Sequence, residues 1–198
     1  MRTASALLFI VAVAANTFGG EESHDLRLTT VVEKQSYCRD KGTGEVFMSL
    51  SFRLSYTNTG QHPLILYKGS KLVTYVRGAR TIEDLSAKKF SLDLAVTWVS
   101  SGNGDVPDTG SSPDDRFAIL KPGKSWNTYT LGETAIPILQ GISGTKVLQV
   151  IIPTWDGSRE QATRLQKKWE KTGQLWIGNA FSEPVPITIE IPQKLGKC

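Results

Sequence analysis

Side chains that commonly do chemistry are few in this chain and badly spaced for it. The only two histidines are His24, close behind an apolar N-terminus, and His62, beside Pro63. Neither has a partner at the spacing of a zinc site, and neither can act as the base of a recognisable Ser-His or Cys-His pair. No Gly-x-Ser-x-Gly elbow occurs, since Gly141-Ile142-Ser143-Gly144 lacks the frame. Acidic groups are denser between residues 100 and 116, where Asn103, Asp105, Asp108, Asp114 and Asp115 stand among Gly, Pro and Ser. Oxygen ligands on such a loop suit calcium, which makes Asp105, Asp108, Asp114 and Asp115 the candidate ligands. Their spacing follows no EF-hand, however, and a plain solvated acidic loop explains them, so no metal is expected. No cofactor is expected. A hydrolase would need carboxylates such as Asp93, Glu133, Asp156, Glu160 and Glu170 to converge in space, which sequence order does not reveal.

Five tryptophans could bind sugar if their indoles were exposed, because a flat amphipathic ring stacks on a pyranose. Trp98 continues an inward-facing alternation and Trp169 lies on the apolar stripe of a predicted helix. Trp155 and Trp176 bracket that helix and are expected to pin it. Trp126, beside a Pro-Gly turn, is therefore the expected exposed ring and the candidate ligand-binding residue.

Three short motifs imitate an enzyme. Ser86-Ala87-Lys88-Lys89, Ser101-Gly102-Asn103 and Lys171-Thr172-Gly173 stand in the order used by penicillin-recognising serine enzymes. That mechanism needs Ser and Lys one turn apart at the start of a buried helix and the Lys-Thr-Gly on a strand. Here Ser86 precedes a predicted strand and Lys171 ends the predicted helix. The motifs are read as chance, and the chain is expected not to be an enzyme.

The N-terminus indicates where the protein works. Arg2 precedes an unbroken small and apolar run from Ala4 to Ala15, followed by polar Asn16 and Thr17. This is the layout of a cleavable signal peptide over residues 1–20, and the run falls short of the roughly 20 residues that span a bilayer. Small-residue cleavage frames lie at Ala12–Ala14, Val13–Ala15 and Gly19-Gly20. Residues 21–25 read as a polar linker and 26–198 as one domain, exported to the periplasm or exterior, with no stable membrane insertion after signal removal. Arg2 is the only charged residue of the signal, so the formal charge drops from +4 to +3 on cleavage. Scattered Lys and Arg at that net charge do not suggest nucleic acid as a partner.

Period-two alternation dominates the rest. Val46, Met48, Leu50, Phe52, Leu54 and Tyr56 alternate with Ser49, Ser51, Arg53 and Ser55, a long strand with one buried face. It ends at Asn58-Thr59-Gly60, and His62-Pro63 opens a second run over Leu64–Tyr67. Further strands are predicted at Leu26–Val32, Lys71–Arg77, Phe90–Val99, Phe117–Leu120, Ser125–Leu131 and Val185–Ile191. Lys146–Pro153 is apolar on both parities apart from Gln149, as in a central strand covered on both faces. One helix is expected over about 158–172. It starts at the capping pair Ser158 and Gln161, stops at Gly173, and has Ala162, Leu165 and Trp169 on one stripe. Its other face carries Arg159, Arg164, Lys167, Lys168 and Lys171, which a solvated outer face explains.

Many short strands separated by turns predict an all-β fold, an antiparallel β-sandwich with one short accessory helix. Ser51–Tyr67 together with Leu120-Lys121-Pro122-Gly123-Lys124 resembles bacterial immunoglobulin-like domains, in which a long strand ends in an Asn-Thr-Gly corner and a Leu-x-Pro-Gly turn precedes a late strand. The resemblance implies an immunoglobulin-like sandwich. The bacterial intracellular proteinase inhibitors are similar in the same two places, although this chain differs in its export signal and added helix.

In an immunoglobulin-like sandwich the first and last strands can pair in parallel, which would bring Cys38 and Cys198 to one pole. With export into an oxidising compartment, these two residues are expected to form a disulfide. The expected role is non-catalytic binding or structure, with an unknown protein or glycan partner engaged through loops, a sheet edge or the groove beside the helix. Carbohydrate binding, proteinase inhibition and hydrolysis follow as alternatives.

Overall fold

The computed structural model describes residues 25–68, 74–96, 110–129, 134–138, 143–155 and 157–198. Its organising element is a long antiparallel pair, β1 (Leu26–Arg39) with β2 (Val46–Asn58). Met48, Leu50, Phe52, Leu54 and Tyr56 all turn into the core, as the alternation of β2 requires. β1 starts in phase, with Leu26, Leu28 and Thr30 buried, and then the register shifts between Val32 and Lys34. The extra residue of this bulge is Glu33, whose carboxylate pairs with Arg53 at 2.9 Å. Beyond the bulge the inward parity passes to Gln35 and Tyr37, opposite Leu50 and Met48.

The other side of β2 is covered by two strands laid end to end. β7 (Ser125–Tyr129) pairs with Arg53–Thr57 and β8 (Thr134–Ile138) with Val46–Leu50. β13 (Gly196–Lys197) completes this first sheet by running parallel to the end of β1.

A second large sheet centres on β9 (Gly144–Pro153), flanked by β4 (Thr74–Ala79) on one side and by β11 (Asn179–Phe181) and β12 (Val185–Ile189) on the other. β5 (Leu92–Val96) lies outside β4. Leu148, Val150 and Ile152 join the same apolar core as β2, while Ile151 is buried on the opposite face. Ser182 bridges the two large sheets. It takes the hydrogen bond of Val150 N–H on its hydroxyl at 2.9 Å and pairs in parallel with Leu28 of β1.

A small sheet of β10 (Gln174–Leu175), β3 (Leu64–Tyr67) and β6 (Phe117–Leu120) closes one end. The alternation of β3 divides it between two cores. Leu64 and Leu66 join the main one, and Ile65 joins a second beneath α2 (Arg159–Lys168). There Ala162, Leu165 and Trp169 pack with Phe117 and Leu175, and the Trp169 ring meets Phe117 edge-on at 4.8 Å. Ser158 caps the helix by accepting the Gln161 N–H at 3.1 Å.

The protein is thus mostly β, as expected, with corrections of detail. The sheets are mixed rather than wholly antiparallel, because β1–β13 and β3–β10 run parallel. The described residues hold two helices rather than one, since Ile82–Ser86 forms α1, capped by Thr81, which accepts the Asp84 N–H. The predicted 158–172 helix stops at Lys168. Residues 1–24 lie outside the described residues, as do the first three residues of one predicted strand, 71–73, and the last three of another, 97–99, Trp98 among them.

Burial of Tyr56 has a consequence for alkaline stability. Desolvation raises its phenol pKa well above the ordinary value of 10.0. The neutral form is favoured in the folded protein, so the contribution is fully present below the unfolded pKa and is lost as pH climbs from there towards the raised folded value. Tyr56→Phe should remove this part of the alkaline loss. Urea midpoints measured at pH 8 and pH 11 would then differ less for the variant than for the parent, and an unchanged difference would contradict the assignment.

Candidate functional site

The two turns that carry the immunoglobulin-like resemblance meet on one buried side chain. Asn58 is fully buried at the end of β2. Its amide group donates to the carbonyls of His62 at 2.8 Å and Leu120 at 2.7 Å, and its oxygen accepts the Gly60 N–H at 2.9 Å. Its backbone N–H reaches Lys124 O and its carbonyl takes Gly123 N–H. One residue thereby fixes the β2–β3 turn and the Lys121–Lys124 turn together. Gly60 must be small here, because a Cβ would sit 2.7 Å from the Asp25 side chain.

The fixed β2–β3 turn forms one wall of an open cleft of about 640 Å³ lined by His62, Pro63, the end of α2 and the following turn into β10. Gln166 and Glu170 form the helix side, Lys171, Thr172 and Gln174 the end, and Ile177 an apolar margin. Ile177 is 50% exposed. Gln166 also holds the cleft's shape, accepting Leu175 N–H at 2.6 Å while donating to Gly173 O at 3.3 Å. Gly173 allows the two walls to touch, since a Cβ there would lie 2.6 Å from Pro63 O. The cleft therefore has a hydrogen-bonded frame lined by polar groups together with Pro63, Leu175 and Ile177, an arrangement suited to holding a ligand.

The other candidates are dispersed. Cys38 and Cys198 do form a disulfide, with Cα atoms 4.9 Å apart at the β1–β13 pole. Trp126 is half-buried, and its ring stacks on that of Tyr56 at 5.2 Å, so one indole face is committed to the protein. Trp155 packs against the helix core as expected, whereas Trp176 goes to the main core. Asp105 and Asp108 lie outside the described residues. The Asp114 carboxylate is gripped by the Arg116 guanidinium, which holds its pKa below the usual carboxylate value and engages both of its oxygens, while Asp115 is exposed. Among the described residues no three His, Cys, Asp or Glu side chains gather as a metal site. Ser86 ends α1 on the surface, Lys171 follows α2, and Ser101–Asn103 is outside the described residues. Glu160 and Glu170 stand at opposite ends of α2, and Glu133 and Asp156 are again outside.

No helix among the described residues is long and apolar enough to cross a membrane. The chain matches no protein-family model, and no curated protein or solved structure is detectably similar to it.

Proposed function

We propose that this is an exported, non-catalytic binding module on an immunoglobulin-like β-sandwich, and that it binds through the cleft beside α2. The observation that carries the reading is the frame of that cleft, whose walls are held by Asn58, Gln166 and Gly173 independently of any ligand. Preorganised walls of this kind reduce the ordering cost of binding. The immunoglobulin-like assignment is supported by the parallel pairing of first and last strands and by the junction of the two characteristic turns at Asn58. Export is supported by the N-terminal sequence and by the disulfide, since such bonds persist in oxidising compartments.

Sugar recognition at Trp126 is the second reading, favoured by the partial exposure of the indole beside the Pro122-Gly123 turn. A screen of a glycan array and of secreted proteins, run with the parent, Ile177→Asp and Trp126→Ala, separates the two. Cleft binding predicts that affinity falls at least about tenfold in Ile177→Asp, equivalent to some 1.4 kcal/mol. The thermal midpoint should not move, because Ile177 is exposed. A ligand indifferent to Ile177→Asp but lost in Trp126→Ala would move the site from the cleft to Trp126. Turnover of any ligand would overturn the non-catalytic reading.

A further inference from the structure

We infer that the ligand of this face is an anionic polysaccharide, held by the cationic side of α2 and the adjoining cleft. This rests on the cleft being the binding face and adds the chemistry of what it binds. Arg164, Lys167, Lys168 and Lys171 are all exposed. Lys167 and Lys168 follow Arg164 by three and four residues, which places these three on one side of the final turns of α2, and Lys171 stands in the turn just after the helix. The opposite side, Ala162, Leu165 and Trp169, is locked into the second core, so the cations are presented from a fixed support.

The helix dipole explains part of this pattern, since Lys167 and Lys168 fall in the last turn of α2. It does not explain Arg164, a turn earlier, or Lys171, beyond the helix on the rim of the cleft. Lys171 makes the cationic row continuous with His62, Thr172 and Gln174, polar groups suited to a hydroxyl-rich chain. Two carboxylates border the row, Glu160 at the helix start and Glu170 in the cleft lining, and both work against an anion.

An anionic membrane is the competing surface for a basic helix, but such helices enter the interface on an exposed apolar face. The apolar face of α2 is buried in the protein. A charged, hydrated chain lying along the cations requires no such insertion.

The test uses dextran sulfate, neutral dextran of equal length, and phosphatidylcholine vesicles with and without phosphatidylglycerol. The full-length mature protein should bind dextran sulfate at about 20 mM salt, weaken progressively towards about 150 mM as charges are screened, and ignore neutral dextran. Combined Arg164→Gln, Lys167→Gln, Lys168→Gln and Lys171→Gln should lower affinity at least tenfold, whereas Glu170→Gln should raise it. These opposite signs cannot come from misfolding, and the thermal midpoints of both variants should match the parent. Equal binding of the parent and the four-site variant would overturn the inference, as would binding confined to the anionic vesicles. A ligand that depends on Ile177 but is insensitive to salt and to the four cations would overturn it while leaving the cleft as the binding face.

Discussion

Asn58→Ala should be among the most damaging single substitutions in this protein, lowering unfolding free energy by about 3 kcal/mol. The side chain is fully buried and satisfies three backbone groups, the carbonyls of His62 and Leu120 and the Gly60 N–H. Truncation leaves those groups without their partner in a place too tight for ready hydration, so each contributes a desolvation cost rather than the small net value of an exchanged hydrogen bond. Asn58→Asp should be no milder, because it sets a carboxylate against two carbonyl oxygens. Urea unfolding measures the effect directly, and a loss under about 1 kcal/mol would show that the two turns do not depend on this residue. Since Asn58 also fixes a wall of the cleft, ligand affinity should fall in the same variants even where the protein remains folded.

The second large effect belongs to the disulfide. Cys38 and Cys198 are separated by 160 residues, and closing such a loop restricts the unfolded chain by up to about 5 kcal/mol on the entropic argument. Cys198→Ser, or reduction of the parent, should remove about 3–5 kcal/mol of stability. The local consequence is distinctive. Between Glu190 and Cys198 every side chain but Leu195 is exposed, and the β13 ladder covers only Cys38–Gly196 and Arg39–Lys197. So little contact cannot hold the segment, so reduction should speed hydrogen exchange at Arg39 and from residue 191 onward while β2 and β9 remain protected in the native state. Retained protection of the terminal segment after reduction would mean that non-covalent contacts are enough. In the oxidised protein, alkylation under native and then denaturing conditions should trap no thiol.

The sequence was most informative where one face of a strand is buried and the other wet. β2 and β12 are written in alternation and were legible from it, as was α2 from its stripe and its Ser158 cap. β1 was predicted to end at Val32 because the bulge at Glu33 moves the inward parity to Gln35 and Tyr37, so the alternation breaks where the strand only changes phase. β8 contains Pro137, a residue tolerated in an edge strand that lowers the local strand signal. β10 and β13 are two residues each and exist only because tertiary structure delivers them to a partner. α1 did have a readable start, since Thr81 stands three residues before Asp84 in a capping arrangement.

The proposed binding face was less legible. Its cations and the groove beside the helix were visible, but His62 and Ile177 come from segments far apart in sequence and meet only because Pro63 approaches Gly173. Asn58 read as a turn former. Its link to Leu120 spans 62 residues, and no local pattern encodes such a pairing.

The most direct measurement is amide chemical-shift mapping of the labelled protein titrated with a sulfated dextran oligosaccharide. Shifts should cluster at His62 and from Arg164 to Ile177, leaving β1, β13 and the surroundings of Trp126 unmoved. Shifts centred on Trp126 or on the disulfide pole, or no shifts at saturating oligosaccharide, would contradict the account.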